Sequence, residues 1–154
     1  MVKIIFDMDG TIADLYNEEN WLNDIMAHDV KPFVNAKPMH LAEIIKELEW
    51  LKGKEVATVE VCTWTPKNVS DQYCTDVAVA KMHWLQAHGM WNLLSDFMAI
   101  PYGTSKLVGA SVKGLNILFD DNAEVRKEFD TGHNCISFPE TEILSVLKLL
   151  RKIL

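Results

Sequence analysis

Short apolar runs alternate along this chain with longer stretches of helical period. Five runs read as strands: Val2 to Phe6, Val56 to Cys62, Phe97 to Ile100, Asn116 to Phe119 and Asn134 to Phe138, each rich in residues that suit a buried pleat. Leu41, Ile44, Ile45, Leu48 and Leu51 recur at helical spacing between Pro38 and Gly53, which predicts a helix joining the first two strands. A second helix is expected from about Asp71 to His88, with Val77, Lys81, Trp84 and Leu85 on related faces and Gly89 after its end. Thr104 and Asn122 are expected to cap two shorter helices, and Ile143, Val146, Leu147, Leu150 and Ile153 stripe the last one. The alternation predicts an α/β protein: a three-layer, Rossmann-like arrangement with a mostly parallel five-stranded sheet covered by helices.

One stretch fits the alternation poorly. Asp14 to Lys37 carries Trp21, Leu22, Ile25, Met26 and Phe33 among many acids. It reads either as a short helical flap over the strand ends, where open α/β sheets bind ligands, or as a surface helix that closes the core.

Length and composition narrow the setting. At 154 residues the chain suits a single domain with one core, and 49% hydrophobic against 24% charged residues is the balance of a soluble globular protein. A net charge of −7 argues against general affinity for nucleic-acid backbones, which rests on Lys and Arg displacing counterions. Cys62, Cys74 and Cys135 are odd in number and widely spaced, so they are expected to be reduced, buried thiols rather than a disulfide framework or a zinc site. The apolar start is too short for a signal-peptide core and no run is long enough to span a bilayer, so no membrane partner and a cytoplasmic location are expected.

The most informative segment is Ile4-Ile5-Phe6-Asp7-Met8-Asp9-Gly10-Thr11, a buried strand delivering two carboxylates, one residue apart, at its carboxyl end. Like charges held close raise each other's pKa, and a magnesium ion with oxygen ligands relieves them. A kink at Met8 would let one carboxylate attack phosphorus while the other holds a proton, with Gly10 permitting the sharp turn. Asn116 to Asp121 places a second acidic pair, Asp120 and Asp121, at the end of another apolar strand, which packing alone explains poorly. Hydroxyls follow the second strand at Thr63 and Thr65. Lys106 follows the third strand near a helix start, with Lys113 as its competitor. Glu124 either supports the site or is simply a helix N-terminal acid.

The Asp7 run resembles the first signature of the haloacid dehalogenase-like (HAD) superfamily, Asp-x-Asp-Gly-Thr after a hydrophobic strand. Thr63 resembles its second signature, Lys106 its third and Asp120-Asp121 its terminal acidic one, all in order across residues 7 to 121. The resemblance implies a HAD-like domain over residues 1 to 154, with a minimal cap at about 14 to 37. It implies a phosphomonoester hydrolase with Asp7 as the covalent acceptor and Asp9 as acid and base. Thr63 and Lys106 would bind the phosphate. Mg2+ would be held by Asp7, the Asp9 backbone carbonyl and Asp121, with Asp120 acting through a water. An acid at position 9 favours phosphate over halide substrates. Glu60, inside the second strand, departs from the pattern and bears on the register of Thr63.

A minimal cap leaves the site open, which suits a nucleotide, a nucleic-acid end or a phosphoprotein. The Cys-Thr-x-Thr-Pro run and the Asp-Asp pair are similar to small 5′-nucleotidases, especially deoxyribonucleotidases, with Trp64 and Trp21 as candidates to stack on a base. The expected partner is therefore a small-molecule phosphate ester. Two other classes stand beside this one: a phosphate-accepting signalling domain, whose acids would be adjacent after the first strand and whose acceptor would lie on a later one, and a binding protein that keeps the fold without turnover.

Overall fold

The computed structural model covers residues 1–154. Strand β1 (Val2–Phe6) leads into a small insertion made of β2 (Ala13–Asp14), α1 (Trp21–Met26), α2 (Lys31–Asn35) and β3 (Lys37–Pro38). Helix α3 (Leu41–Gly53) then precedes β4 (Ala57–Trp64), and α4 (Asp71–Ala87) precedes β5 (Asp96–Ile100). The chain ends with β6 (Asn116–Phe119), α5 (Ala123–Phe129), β7 (Cys135–Phe138) and α6 (Ile143–Ile153).

The five longer strands form one sheet in the order β5-β4-β1-β6-β7, and every pairing is parallel. All five carboxyl ends therefore share one edge. The chain builds outward from β1 through β4 to β5, then crosses to β6 on the other side of β1. The carboxyl end of β1 thus lies at the switch point where such sheets bind ligands.

Alternation along the strands sends Ile4, Phe6, Val59, Val61, Ile117 and Phe119 to one face, where Leu48, Leu51, Trp84, Leu85 and Leu147 from α3, α4 and α6 cover them. Ile5, Cys62 and Leu118 point to the other face and meet Val125 and Phe129 of α5. Three layers result. Glu60 belongs to this second face, where Lys3 on the neighbouring strand meets its Oε2 at 2.9 Å. The strand keeps its register around it, with Ile5 opposite Glu60 and Phe6 opposite Val61.

The stretch from Asp14 to Lys37 folds as two short helices whose ends are tied by the antiparallel β2–β3 pair. Leu15 and Phe33 from it pack on Tyr73, Val77 and Ala80 of α4. This is a helical flap with its own small apolar seam, seated on α4.

Three expectations need correction. Thr104 caps nothing: Ser105 accepts from the Leu107 amide, and the element it opens is only a 3-10 turn at Lys106–Gly109. The second strand extends past Cys62 to Trp64, because Thr63 and Trp64 pair with Ala99 and Ile100 of β5. All three cysteines are free, yet only Cys62 is buried, and burial pushes its thiol up to about 11. Asn122 does cap α5, accepting from the Glu124 and Val125 amides. No helix is long and apolar enough to cross a membrane.

Candidate functional site

The sheet ladder itself delivers Asp7. Its amide donates to Phe119 O of β6 at 2.9 Å, so the backbone stays extended one residue beyond β1. The chain then doubles back: the amides of Thr11, Ile12 and Ala13 all donate to Met8 O at 3.0 Å. Gly10 makes this turn with a φ of 79°, and a Cβ there would collide with the Asp121 carboxylate and come within 2.7 Å of Tyr16. The glycine is required both by the backbone and by the close approach of the acid.

Both oxygens of Asp7 are engaged. Lys106 Nζ donates to Oδ1 at 2.7 Å, and the Thr11 hydroxyl donates to Oδ2 at 3.0 Å. Lys106 also donates to Asp120 Oδ2 at 2.7 Å, so one buried ammonium bridges the ends of β1 and β6. Burial alone would lower the pKa of Lys106, but the carboxylates of Asp7 and Asp120 overcome that and raise it. The other oxygen of Asp120 accepts from the Asn122 amide at 2.9 Å. Burial, then the charge of Asp7, push Asp120 up to about 6.

Asp121 is less enclosed. Its amide donates to Thr11 Oγ1 at 3.2 Å, which turns its carboxylate toward Gly10. Burial, followed by the charge of Asp7, pushes it up to about 7. Asp7, Asp120 and Asp121 each offer a carboxylate oxygen within 4.8 Å of the others. Three hard oxygen donors crowded so closely raise one another's proton affinity, and a divalent cation of the magnesium kind can occupy such a cluster.

Asp9 stands apart from that cluster. Its Oδ2 accepts from Lys81 Nζ at 2.8 Å, and its Oδ1 has no protein partner. Burial lifts the Asp9 carboxyl above the ordinary carboxylate range; the Lys81 ammonium opposes the rise and the charge of Asp7 adds to it. Lys81 also donates to Thr63 Oγ1 at 2.8 Å and to Trp64 O at 2.9 Å.

The two threonines of β4 and its extension differ. Thr63 is buried and accepts from Lys81, while no protein acceptor takes its own proton. Thr65 lines the cavity beside Asp7 and Asp9, but its hydroxyl points back at Ile100 O, 3.4 Å away. Lys113 is exposed before the start of β6, at the amino end of the sheet where Gly114 meets Met1. It lies at the opposite edge from Asp7. Glu124 is an exposed first-turn acid of α5.

A cavity of about 660 Å³ opens above these groups. Asp7, Asp9, Lys106, Asp120 and Asp121 form its floor, and the flap supplies Tyr16, Trp21, Ile25 and Phe33 to its wall. Trp64 is also on the wall, fixed by a 2.9 Å bond from Nε1 to Thr104 O, with Lys106 Nζ 5.4 Å from its ring. Trp21 packs edge-on against Tyr16 at 5.0 Å.

Lys81 is the site residue that sequence reasoning missed, having been read only as part of a helix face. A signal existed: it shares a helical face with Val77, Trp84 and Leu85, and a lysine on a core-facing stripe needs a buried anion. Comparison with protein-family models, curated proteins and solved structures found no match.

Proposed function

We propose that this chain is a magnesium-dependent phosphomonoester hydrolase of the haloacid dehalogenase-like kind, with Asp7 as its covalent phosphate acceptor. One observation carries the reading: Asp7 ends the central strand, at the floor of a cavity, within 2.7 Å of a lysine and within 4.8 Å of two more acids brought from a different strand end.

In the first step a carboxylate oxygen of Asp7 bonds to phosphorus as the bond to the ester oxygen breaks, and Asp9 gives that oxygen its proton. In the second, water bonds to phosphorus, Asp9 takes its proton, and the Asp7 carboxylate leaves. Asp9 suits both roles because burial favours its protonated form and Oδ1 is free of protein partners. Lys106 makes two of the three hydrogen bonds open to an ammonium, which leaves one for a phosphoryl oxygen. Thr63 retains a free proton for the same use but lies behind the cavity wall, whereas Thr65 lines the cavity with its proton directed at Ile100 O. Asp7, Asp121 and the Asp9 carbonyl would hold Mg2+, which would offset the negative charge gathering on the phosphoryl group. Asp120, with both oxygens engaged by Lys106 and Asn122, suits a role through water.

The aromatic wall supports a nucleoside monophosphate, deoxyribonucleotides included, because flat apolar surfaces above a phosphate floor suit a base. The test is phosphate release from an aryl phosphate with Mg2+, followed by a panel of nucleotides, nucleic-acid ends, sugar phosphates and phosphopeptides. Activity that Asp7→Asn abolishes is expected, with a deoxynucleoside monophosphate near the top of the panel. Turnover that survives Asp7→Asn rejects the mechanism, and a sugar-phosphate preference rejects the nucleotidase branch alone.

A further inference from the structure

A lysine with 1% of its side chain exposed is costly unless every proton on its ammonium finds an acceptor. Lys81 meets that condition: its three donors go to Asp9 Oδ2, Thr63 Oγ1 and Trp64 O, at 2.8, 2.8 and 2.9 Å. Phe33 of the flap closes over it, with the ring centroid 5.2 Å from Nζ. No donor remains for a substrate, and Lys81 does not line the cavity. It therefore differs in kind from Lys106, which faces the cavity with a donor to spare.

The chemistry of the three acceptors gives this placement a consequence. An ammonium only donates, so Thr63 must use a lone pair toward Lys81 and turn its proton elsewhere. Likewise Asp9 commits Oδ2 to Lys81, so a proton on this carboxyl belongs on Oδ1. The Trp64 carbonyl anchors the ammonium to the strand end, so that all these directions are fixed by the backbone of β4. We infer that Lys81 is a positioning residue: it fixes Asp9 Oδ1 as the oxygen that hands over and recovers the proton. This rests on reading Asp9 as the acid of a phosphomonoesterase.

A residue that works through the acid matters most when the leaving oxygen needs a proton. The experiment compares Lys81→Met with wild type on an alkyl phosphate, whose leaving alkoxide must be protonated, and on 2,4-dinitrophenyl phosphate, whose phenoxide leaves without help. The readout is kcat/KM, which reports the phosphorylation step for both esters. The loss on the alkyl ester is expected to exceed that on the dinitrophenyl ester by about 10²-fold, the usual scale of general acid catalysis. If the methionine variant does not fold, Lys81→Arg serves in the same comparison, since its planar fork cannot reproduce three tetrahedral donors. Equal losses on the two esters overturn the assignment, because a purely structural lysine would affect both alike. The two readings fail separately: wild-type turnover that ignores Asp7→Asn removes the phosphatase mechanism, whereas equal losses in an Asp7-dependent enzyme remove only Lys81.

Discussion

Lys106 Nζ lies 2.7 Å from Asp7 Oδ1, a contact made across 99 positions of sequence. The same ammonium holds Asp120, so its removal leaves two buried acids facing each other without a cation. Lys106→Met is therefore expected to lose stability as well as activity. Breaking a buried pair by deleting one partner costs about 3–5 kcal/mol, and losing a charge that stabilises the transition state costs about 10²–10³-fold in turnover. Urea unfolding and phosphate release check the two parts. A variant as stable as wild type would show that Asp7 and Asp120 do not depend on this lysine.

The acids at the sheet edge predict how pH and metal act together. Asp121 is pushed up to about 7 and Asp120 to about 6, in both cases by burial first and the charge of Asp7 next. An acid whose folded pKa is raised favours the fold fully below its ordinary value and loses that contribution as pH rises through the folded one. Without metal, stability from this pair should therefore fall as pH rises out of the ordinary carboxylate range and level off above about 6 for Asp120 and about 7 for Asp121. A divalent cation binds the deprotonated forms, so the rise in Tm on adding Mg2+ should be larger at about pH 8 than at about pH 5.5. Melting curves with Mg2+ and with a chelator measure it. An equal rise at both pH values would mean that these carboxylates are not the ligands.

The two hydroxyls that follow Cys62 make opposite claims on a phosphate. Thr63 has an unclaimed proton, while Thr65 spends its own on Ile100 O. Thr63→Val is expected to lower kcat/KM by about 10²-fold, the usual effect of one lost oxyanion donor, and Thr65→Val by less than about tenfold. Both side chains keep their volume, so the comparison isolates the hydroxyl. The reverse order would assign the phosphate contact to Thr65.

Much of this arrangement was legible before any coordinates, for identifiable reasons. A buried parallel strand advertises itself as an uninterrupted apolar run, and an acid directly after it marks the sheet edge, which is why Phe6-Asp7 and Phe119-Asp120 could be read together. The parallel pairing follows from the long crossover between each pair of successive sheet strands, helical except between β5 and β6, where only the 3-10 turn at Lys106–Gly109 intervenes. The β2–β3 tie was not legible, because two-residue strands carry no period. Nor was the difference between Thr104 and Ser105, since both are good caps and only the backbone decides which side chain meets Leu107. Lys81 was hidden for a different reason: the helical period places it correctly, but its acceptors come from β4 and from the turn after β1. Spacing along a helix says where a residue faces and nothing of what meets it there.

Glu60 is a buried acid that the proposed chemistry leaves unused, and its environment predicts a change in stability away from the site. Oε2 accepts from Lys3, but Oε1 has no hydrogen-bond partner and is pressed against Gly109, where a Cβ would stand 2.6 Å away. Burial raises the Glu60 pKa; Lys3 opposes the rise and Asp96 adds to it. Its contribution to folding is therefore full in acid and is lost as pH rises through the raised value. Glu60→Gln keeps the shape and an acceptor for Lys3 while removing the buried charge. The variant should be more stable than wild type at about pH 8, because the amide takes the same space without the desolvated charge. The difference should shrink in acid, below the raised value, where the wild-type carboxyl takes up its proton. Urea midpoints at the higher pH and in acid measure both parts. A wild type that matches or exceeds Glu60→Gln at the higher pH would mean that Lys3 fully compensates the buried carboxylate.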